Sequence, residues 1–232
     1  MGSASEGGSS AATGPLDDSG DGDDRVLALD GDGDYVELSD SLLPGPVESF
    51  TVALWFYVEW QPEDQREILH NGPYQELECG IEQLDVAEEF TVFCGVKMDD
   101  DWHWGRTTYE LETWTFLAMT YDAQTEHLRI FKDGEVFHSE SLAGRVPHEH
   151  DRGSIGARVN PPRWFFPGRL DELSIWDAAL TETELNALAA GQLAPSPEAS
   201  WLAYWPFDGS ADDLSVYANH GALRGDAHFE DR

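Results

Sequence analysis

The feature that most limits the fold is a rhythm. From Arg25 onward, clusters of Gly, Pro, Asn and Asp cut the chain into short alternating or apolar runs, and 3.6-residue periodicity is nearly absent. Successive side chains on a strand point to opposite faces, so many such runs in series suit a sandwich or barrel. The predicted strands are Val26–Leu29, Tyr35–Leu38, Phe50–Glu59, Arg66–His70, Leu77–Leu84, Phe90–Lys97, Trp114–Asp122, His127–Lys132, Glu135–Ser141, Gly153–Ala157 and Gly168–Trp176. Between two of them Lys132-Asp133-Gly134-Glu135 marks a hairpin, because Asp-Gly takes the positive φ angles of a tight turn. One short helix is predicted: Thr181 and Glu184 form a capping box, Leu185, Leu188 and Ala189 supply an apolar face, and Gly191 ends it. At 232 residues the chain is long enough for one all-β sandwich.

The ends differ from this body. Met1 to Asp24 is almost wholly Gly, Ser, Ala, Asp and Glu, too polar to offset the entropy of ordering, and is expected to be a tether. It resembles the stalk that follows the lipidated cysteine of bacterial surface lipoproteins. Gln192 to Ser200 reads as a linker, and the body is expected to run from 25 to 232. After the linker, Trp201-Leu202-Ala203-Tyr204-Trp205-Pro206-Phe207-Asp208-Gly209 is too aromatic to stay in water. Residues 198–232 either begin a second, truncated module or return to fill the edge beside Val26–Leu29. The need to bury the aromatics favours the return.

Charge narrows the partners. Forty-six acidic residues against 13 basic ones leave a formal charge of -33, which opposes nucleic acid and anionic membrane surfaces alike. No run approaches the roughly 18 apolar residues of a membrane helix, so no membrane insertion is expected. Two lysines stand against eleven arginines. Abundant Asp and Glu with scarce Lys suits concentrated salt, where screening removes self-repulsion, and a halophilic source is expected. Only six of the acidic residues lie in the first 24, so the excess belongs to the body.

Several segments in order carry a resemblance. They are Leu29-Asp30-Gly31-Asp32-Gly33-Asp34-Tyr35-Val36-Glu37-Leu38, Phe50-Thr51-Val52-Ala53-Leu54-Trp55-Phe56, Trp114 to Asp122, Ile130-Phe131-Lys132-Asp133-Gly134, and Phe166-Pro167-Gly168-Arg169-Leu170-Asp171-Glu172-Leu173-Ser174-Ile175-Trp176 followed by Leu180-Thr181. Over roughly residues 25 to 191 the chain resembles the laminin-G-like, concanavalin A-like lectin domains of bacterial or archaeal surface proteins. The resemblance implies an all-β jelly-roll sandwich of two antiparallel sheets, an extracellular address and a binding role, with a glycan or a surface protein as partner. It also implies a structural calcium, with Asp30 and Asp171 at matching positions and Asp32, Asp34 and Asp208 able to complete a shell of six to eight oxygens. The chain departs from the family at its end, where the Tyr204-Trp205-Pro206-Phe207-Asp208 segment follows the helix instead of preceding Asp30-Gly31.

For ligand contacts, Asp99-Asp100-Asp101-Trp102-His103-Trp104-Gly105-Arg106 is expected to be a loop. Trp102 and Trp104 would stack on a pyranose while Asp101 and His103 bond its hydroxyls, with Tyr109 and Trp164 as further contacts. Trp60, Tyr74 and Phe165 are weaker candidates, and Pro161 to Pro167 reads as a packed loop. A hydrolase would need paired carboxylates on one face, for which Glu76 with Glu78 and Glu110 with Glu112 have the spacing; no catalytic residue is assigned. The His148-Glu149-His150-Asp151 run reads as solvated. A spacer without a small ligand is the third reading. Cys79 and Cys94 would face each other across a short connection, either as a disulfide or as two buried thiols.

Overall fold

A computed structural model describes residues 24–60, 62–71, 77–83, 90–99, 101–144, 146, 152–192 and 201–232. Two antiparallel sheets face each other. The first has the order β10 (Glu135–Ser141), β9 (His127–Lys132), β8 (Thr115–Asp122), β3 (Phe50–Val58), β12 (Pro167–Trp176), β1 (Arg25–Asp30), β15 (His228–Asp231), and β13 (Trp201–Trp205) also pairs with β12. The second runs β14 (Gly221–Arg224), β2 (Tyr35–Leu38), β11 (Gly153–Ile155), β4 (Arg66–Asn71), β5 (Leu77–Gln83), β6 (Phe90–Met98), β7 (Asp101–Thr108). Alternate residues such as Leu54, Phe56, Leu117, Cys79, Val92 and Val96 fill the space between them and are buried. This is the jelly-roll sandwich that the family resemblance implies, and it resolves the sandwich-or-barrel alternative of the alternating runs in favour of the sandwich.

The first sheet carries a second apolar layer on its outer face. Trp55, Phe116, Phe131 and Trp176 point away from the main core and are covered in part by Leu180 and Leu185. Leu185 belongs to helix α1 (Glu182–Ala189), which starts where the capping box placed it: Thr181 Oγ1 accepts the Glu184 N–H and the Glu184 carboxylate accepts the Thr181 N–H. Gly191, at φ 69°, takes the left-handed conformation just past its end.

β1 and β13 lie end to end along one edge of β12. Leu27 to Asp30 pair with Leu170 to Pro167, and Trp205 to Trp201 pair with Leu173 to Trp176. Between them Asp171 and Glu172 form a bulge, with Glu172 at φ 52°. β15 pairs with the free edge of β1, and β14 closes the second sheet against β2. Residues 201–232 thus contribute strands to both sheets; the expected tether and nearly all of the expected linker, 1–23 and 193–200, lie outside the described residues. Asn219 ties it down, accepting the Asp40 N–H at 2.8 Å and donating to the Ser41 carbonyl at 2.8 Å.

Most of the expected loop at Asp99 to Arg106 is instead part of the edge strand β7 (Asp101–Thr108), paired with β6 from Thr91↔Thr108 to Met98↔Asp101. The period-two alternation of Trp102, Trp104 and Arg106 was present in the sequence, but the preceding aspartates masked it.

Cys79 on β5 and Cys94 on β6 are register partners with Cα atoms 4.1 Å apart, joined by a disulfide across a sequence separation of 15. Closing a loop of this length stabilises by about 3 kcal/mol through the unfolded state. Reduction is expected to lower the free energy of unfolding in denaturant titration by roughly that amount, and mass spectrometry with and without reductant to register two hydrogens. An unchanged mass would show free thiols.

Candidate functional site

The outer face of the second sheet combines large aromatic rings with buried carboxylates. Glycine makes the arrangement possible. Gly80 and Gly95 lie on the outward rows of β5 and β6, and a Cβ on either would collide with an aromatic ring, that of Phe93 at Gly80 and that of Trp104 at Gly95. The two rings therefore lie across the sheet. They meet edge to face at 5.5 Å, and Trp102 stacks on Trp104 at 4.4 Å with 15° between the planes. The Arg106 guanidinium sits 5.6 Å from the Trp104 ring and donates from Nε to Glu82 at 2.6 Å. Both indoles are half-buried, so each is held while keeping some surface in water.

Gly95 is the register partner of Trp104 on one side and of Glu78 on the other. Two strand spacings, about 10 Å, thus separate the aromatic strand from Glu78. Glu78 and Glu67 are buried, and their carboxyls hydrogen-bond each other. Gln65 Nε2 donates to both, at 2.9 Å each. Burial pushes both carboxyls up. The neighbouring Glu78 charge raises Glu67 further, whereas the hydrogen bond with Glu67 holds Glu78 back. His70, fully buried on the same strand as Glu67, has neither ring nitrogen hydrogen-bonded among the described residues. Burial, then the Arg158 and Arg163 charges, lower it to about 3, so it is neutral.

On the β11 side of this pair stands Trp164, whose carbonyl accepts the Glu67 N–H at 2.8 Å. Two guanidiniums flank its ring, Arg163 at 4.3 Å and Arg158 at 5.1 Å. Trp102, Trp104 and Trp164 therefore belong to one face, with the acid pair between them. Glu67, His70 and Gln65 were missed in the sequence because β4 alone suggests no pairing with β5.

The other expected contacts go elsewhere. Asp101 is exposed at the start of β7. His103 turns to the sheet edge, where its Nδ1 lies 3.2 Å from the Glu140 carboxylate on β10. Tyr109 is not a surface contact: it is buried, packs edge to face on Phe56 at 5.5 Å, and burial raises its phenol. Trp60 is exposed beside the Gly31 turn on the first sheet, and Phe165 packs at 6.1 Å from Tyr35. Tyr74, Glu76, Asp100 and the 148–151 run lie outside the described residues. Glu110 and Glu112 are exposed in the turn after β7 and share no strand face.

The carboxylates expected to hold calcium do not assemble into one shell. Asp30 and Asp32 share a turn in which the Asp30 carboxylate accepts the Asp32 N–H at 2.7 Å. Asp171 lies four residues further along β12 than Pro167, the partner of Asp30, roughly 13 Å away. Asp208 is on the Asp171 side, and its carboxylate accepts the Arg25 N–H at 3.4 Å. Among the described residues no group of three or more His, Cys, Asp or Glu is arranged to hold a metal ion.

Residues 30–186 match the family model described as the concanavalin A-like lectin/glucanases superfamily. No curated protein matches the chain. Among solved structures, a Bacteroides ovatus protein whose proposed role is carbohydrate binding is similar at TM-score 0.69 and 16% identity, over 89% of this chain and 59% of that one. The chain thus spans about three-fifths of that protein. The SAP-like pentraxin of Limulus polyphemus is similar at TM-score 0.60 and 12% identity, over 87% of this chain and 95% of that one. The CBM40 of the Ruminococcus gnavus IT-sialidase, solved with α2,3-sialyllactose, follows at TM-score 0.51 and 14% identity, over 67% and 96%. At these identities the likeness is one of fold.

Proposed function

Since this chain belongs to the concanavalin A-like lectin/glucanases superfamily, we propose that it is a carbohydrate-binding module whose ligand lies on the outer face of the second sheet. The observation that carries the reading is the stacked Trp102–Trp104 pair, pinned over Gly95 and bordered by Arg106 and Glu82. Flat indole faces shed water onto the apolar face of a sugar ring, and the fixed ions beside them bond its hydroxyls. The names of two similar structures, one for its carbohydrate binding and one for its bound sialyllactose, support this ligand class.

The same geometry speaks against a hydrolase. A retaining glycosidase needs its carboxyls about 5–5.5 Å apart, with the anomeric carbon between them. Glu67 and Glu78 are in hydrogen-bonding contact and share Gln65, which leaves no room for a sugar. Their role in this reading is to hold β4, β5 and the Trp164 loop together beneath the ligand.

We place the module outside the cell, tethered through its Gly/Ser/Asp-rich N-terminus, in concentrated salt. The Cys79–Cys94 bond suits an oxidising compartment, and no described helix is long and apolar enough to cross a membrane. On a glycan array in molar salt, the protein is expected to retain specific hits. Trp102→Ala/Trp104→Ala should weaken those hits by about 100-fold, in line with the loss of two stacking rings, and leave the melting temperature within a few degrees. Unchanged binding in this variant would move the site elsewhere. Hydrolysis of a hit that Glu78→Gln abolishes would replace the binding reading with an enzyme.

A further inference from the structure

A groove on the opposite side of the molecule plays no part in the reading above. It lies on the outer face of the first sheet, at the end away from α1, and holds about 260 Å³. On β1 the small side chain of Ala28 stands between two register partners with long ones, His228 on β15 and Arg169 on β12. A methyl between an imidazole and a guanidinium leaves a valley. Asp30, the next residue on that face of β1, carries it on to Pro167. Trp60 forms the wall at that end. Its indole lies against the Gly31 turn, where a Cβ would come within 3.2 Å of the ring, and the residue is 47% exposed. A large ring held at one edge and open to water along a groove is what a sugar site offers.

The polar groups of the groove constrain its occupant. Arg169 donates through Nε to Glu230 and through Nη1 to Glu59 at 2.6 Å, and its guanidinium stands 5.2 Å from the Tyr57 ring. It is therefore fixed in place, with its remaining N–H groups open to an acceptor. The Glu59 carboxylate keeps its second oxygen for a donor, the second oxygen of Glu230 lies 3.8 Å from the His228 imidazole, and Asp30 is exposed near Trp60. An anion would meet three carboxylates around one guanidinium. An ammonium only donates, and would leave the Arg169 donors without an acceptor. A hydrocarbon would strip water from both charged walls and return no hydrogen bond. A hydroxyl both accepts and donates. A pyranose sets several of them around apolar C–H faces, which suit an indole wall and a methyl floor.

We propose that this groove is a second ligand site, for a neutral pyranose stacked on Trp60 above the Ala28 floor. It is on the other sheet from the Trp102 face and stands independently of it. The test is a titration of the full chain with methyl glucoside, methyl galactoside and methyl mannoside, and separately with methylammonium chloride and calcium chloride. NMR reads it on the Trp60 indole N–H and the His228 ring protons. Trp60→Phe and His228→Gln assign the signals, and the series is repeated in the Trp102→Ala/Trp104→Ala background. At least one glycoside is expected to shift both signals with saturation in the millimolar range, the weak end of specific binding. Trp60→Ala, read on His228, should weaken that binding about tenfold, as expected when one stacking ring is lost. Ala28→Leu fills the valley from its floor and should abolish the shifts. The proposal is overturned if no glycoside moves these signals, if only methylammonium or calcium does, or if the shifts vanish in the Trp102→Ala/Trp104→Ala background. It is equally overturned if Trp60→Ala or Ala28→Leu binds as the parent does. Failure of the array experiment with success here would remove the Trp102 site and keep this one.

Discussion

A chain ending at Gln192 is expected not to fold. The deletion removes β13 from β12, β15 from β1 and β14 from β2, exposing edges in both sheets. It also strips Trp205 and Phe207, both fully buried, from the main core. Losing a buried Phe or Trp side chain costs about 3–5 kcal/mol, and a domain has only about 5–15 kcal/mol in total. The turn chemistry goes with it: the Asp213 carboxylate accepts the N–H groups of Tyr204 at 2.9 Å, Ser215 at 2.8 Å and Asn219 at 2.8 Å, and Asn219 in turn holds Asp40 and Ser41. Circular dichroism and thermal melting of the truncated chain should show no cooperative transition. A melt within a few degrees of the full chain would instead make residues 201–232 the start of a separate module.

The second large effect is expected at Asp171, where β1 and β13 abut. Its side chain is 2% exposed. Burial first, then the charges of Glu172, Asp24 and Asp208, push its carboxyl up to about 9, against which Arg232 acts only partly. An ordinary aspartate titrates near 4. Between those two values the folded chain holds a proton that the unfolded chain has released, so stability is greatest at low pH and falls as pH rises toward 9, by up to about 1.4 kcal/mol per pH unit from this group. Asp171→Asn removes the titration and keeps an acceptor for the Glu172 N–H, which donates to Asp171 at 3.0 Å. The variant should therefore be more stable than the parent at pH 8 to 9, by a few kcal/mol as an order of magnitude, and should lose this part of the pH slope. Denaturant titrations across pH 5 to 10, with EDTA and with added calcium, check both points. Calcium held by an ionised Asp171 would reverse the sign, with the parent stabilised by the ion and Asp171→Asn destabilised.

Much of the architecture was legible because it rests on local rules. Alternation placed β2, β9 and β10 at the observed bounds, and the Thr181/Glu184 capping box placed the start of α1. β7 was not legible, although its alternation is as regular: an Asp-rich stretch ordinarily means a turn, and what makes Asp101–Thr108 a strand is the open edge of β6 beside it. The face that carries the candidate site was half legible. Trp102 and Trp104 could be singled out by residue type, but Tyr109, equally aromatic, belongs to the core, and nothing within one strand distinguishes the two fates.

Local rules reach as far as an all-β chain with one capped helix and a strong acidic excess, because alternation, turn residues and charge act within a few positions of each other; the choice of a two-sheet sandwich over a barrel came from the family resemblance. Only the tertiary structure decided which groups meet. The register of β4 on β5 brings Glu67 to Glu78, the glycines on β5 and β6 let Phe93 and Trp104 lie across the sheet, and β13 carries Trp201 to Trp176 beside α1. These contacts join residues that are distant in the chain or on different strands, and they depend on bulges and sheet order that no local pattern records.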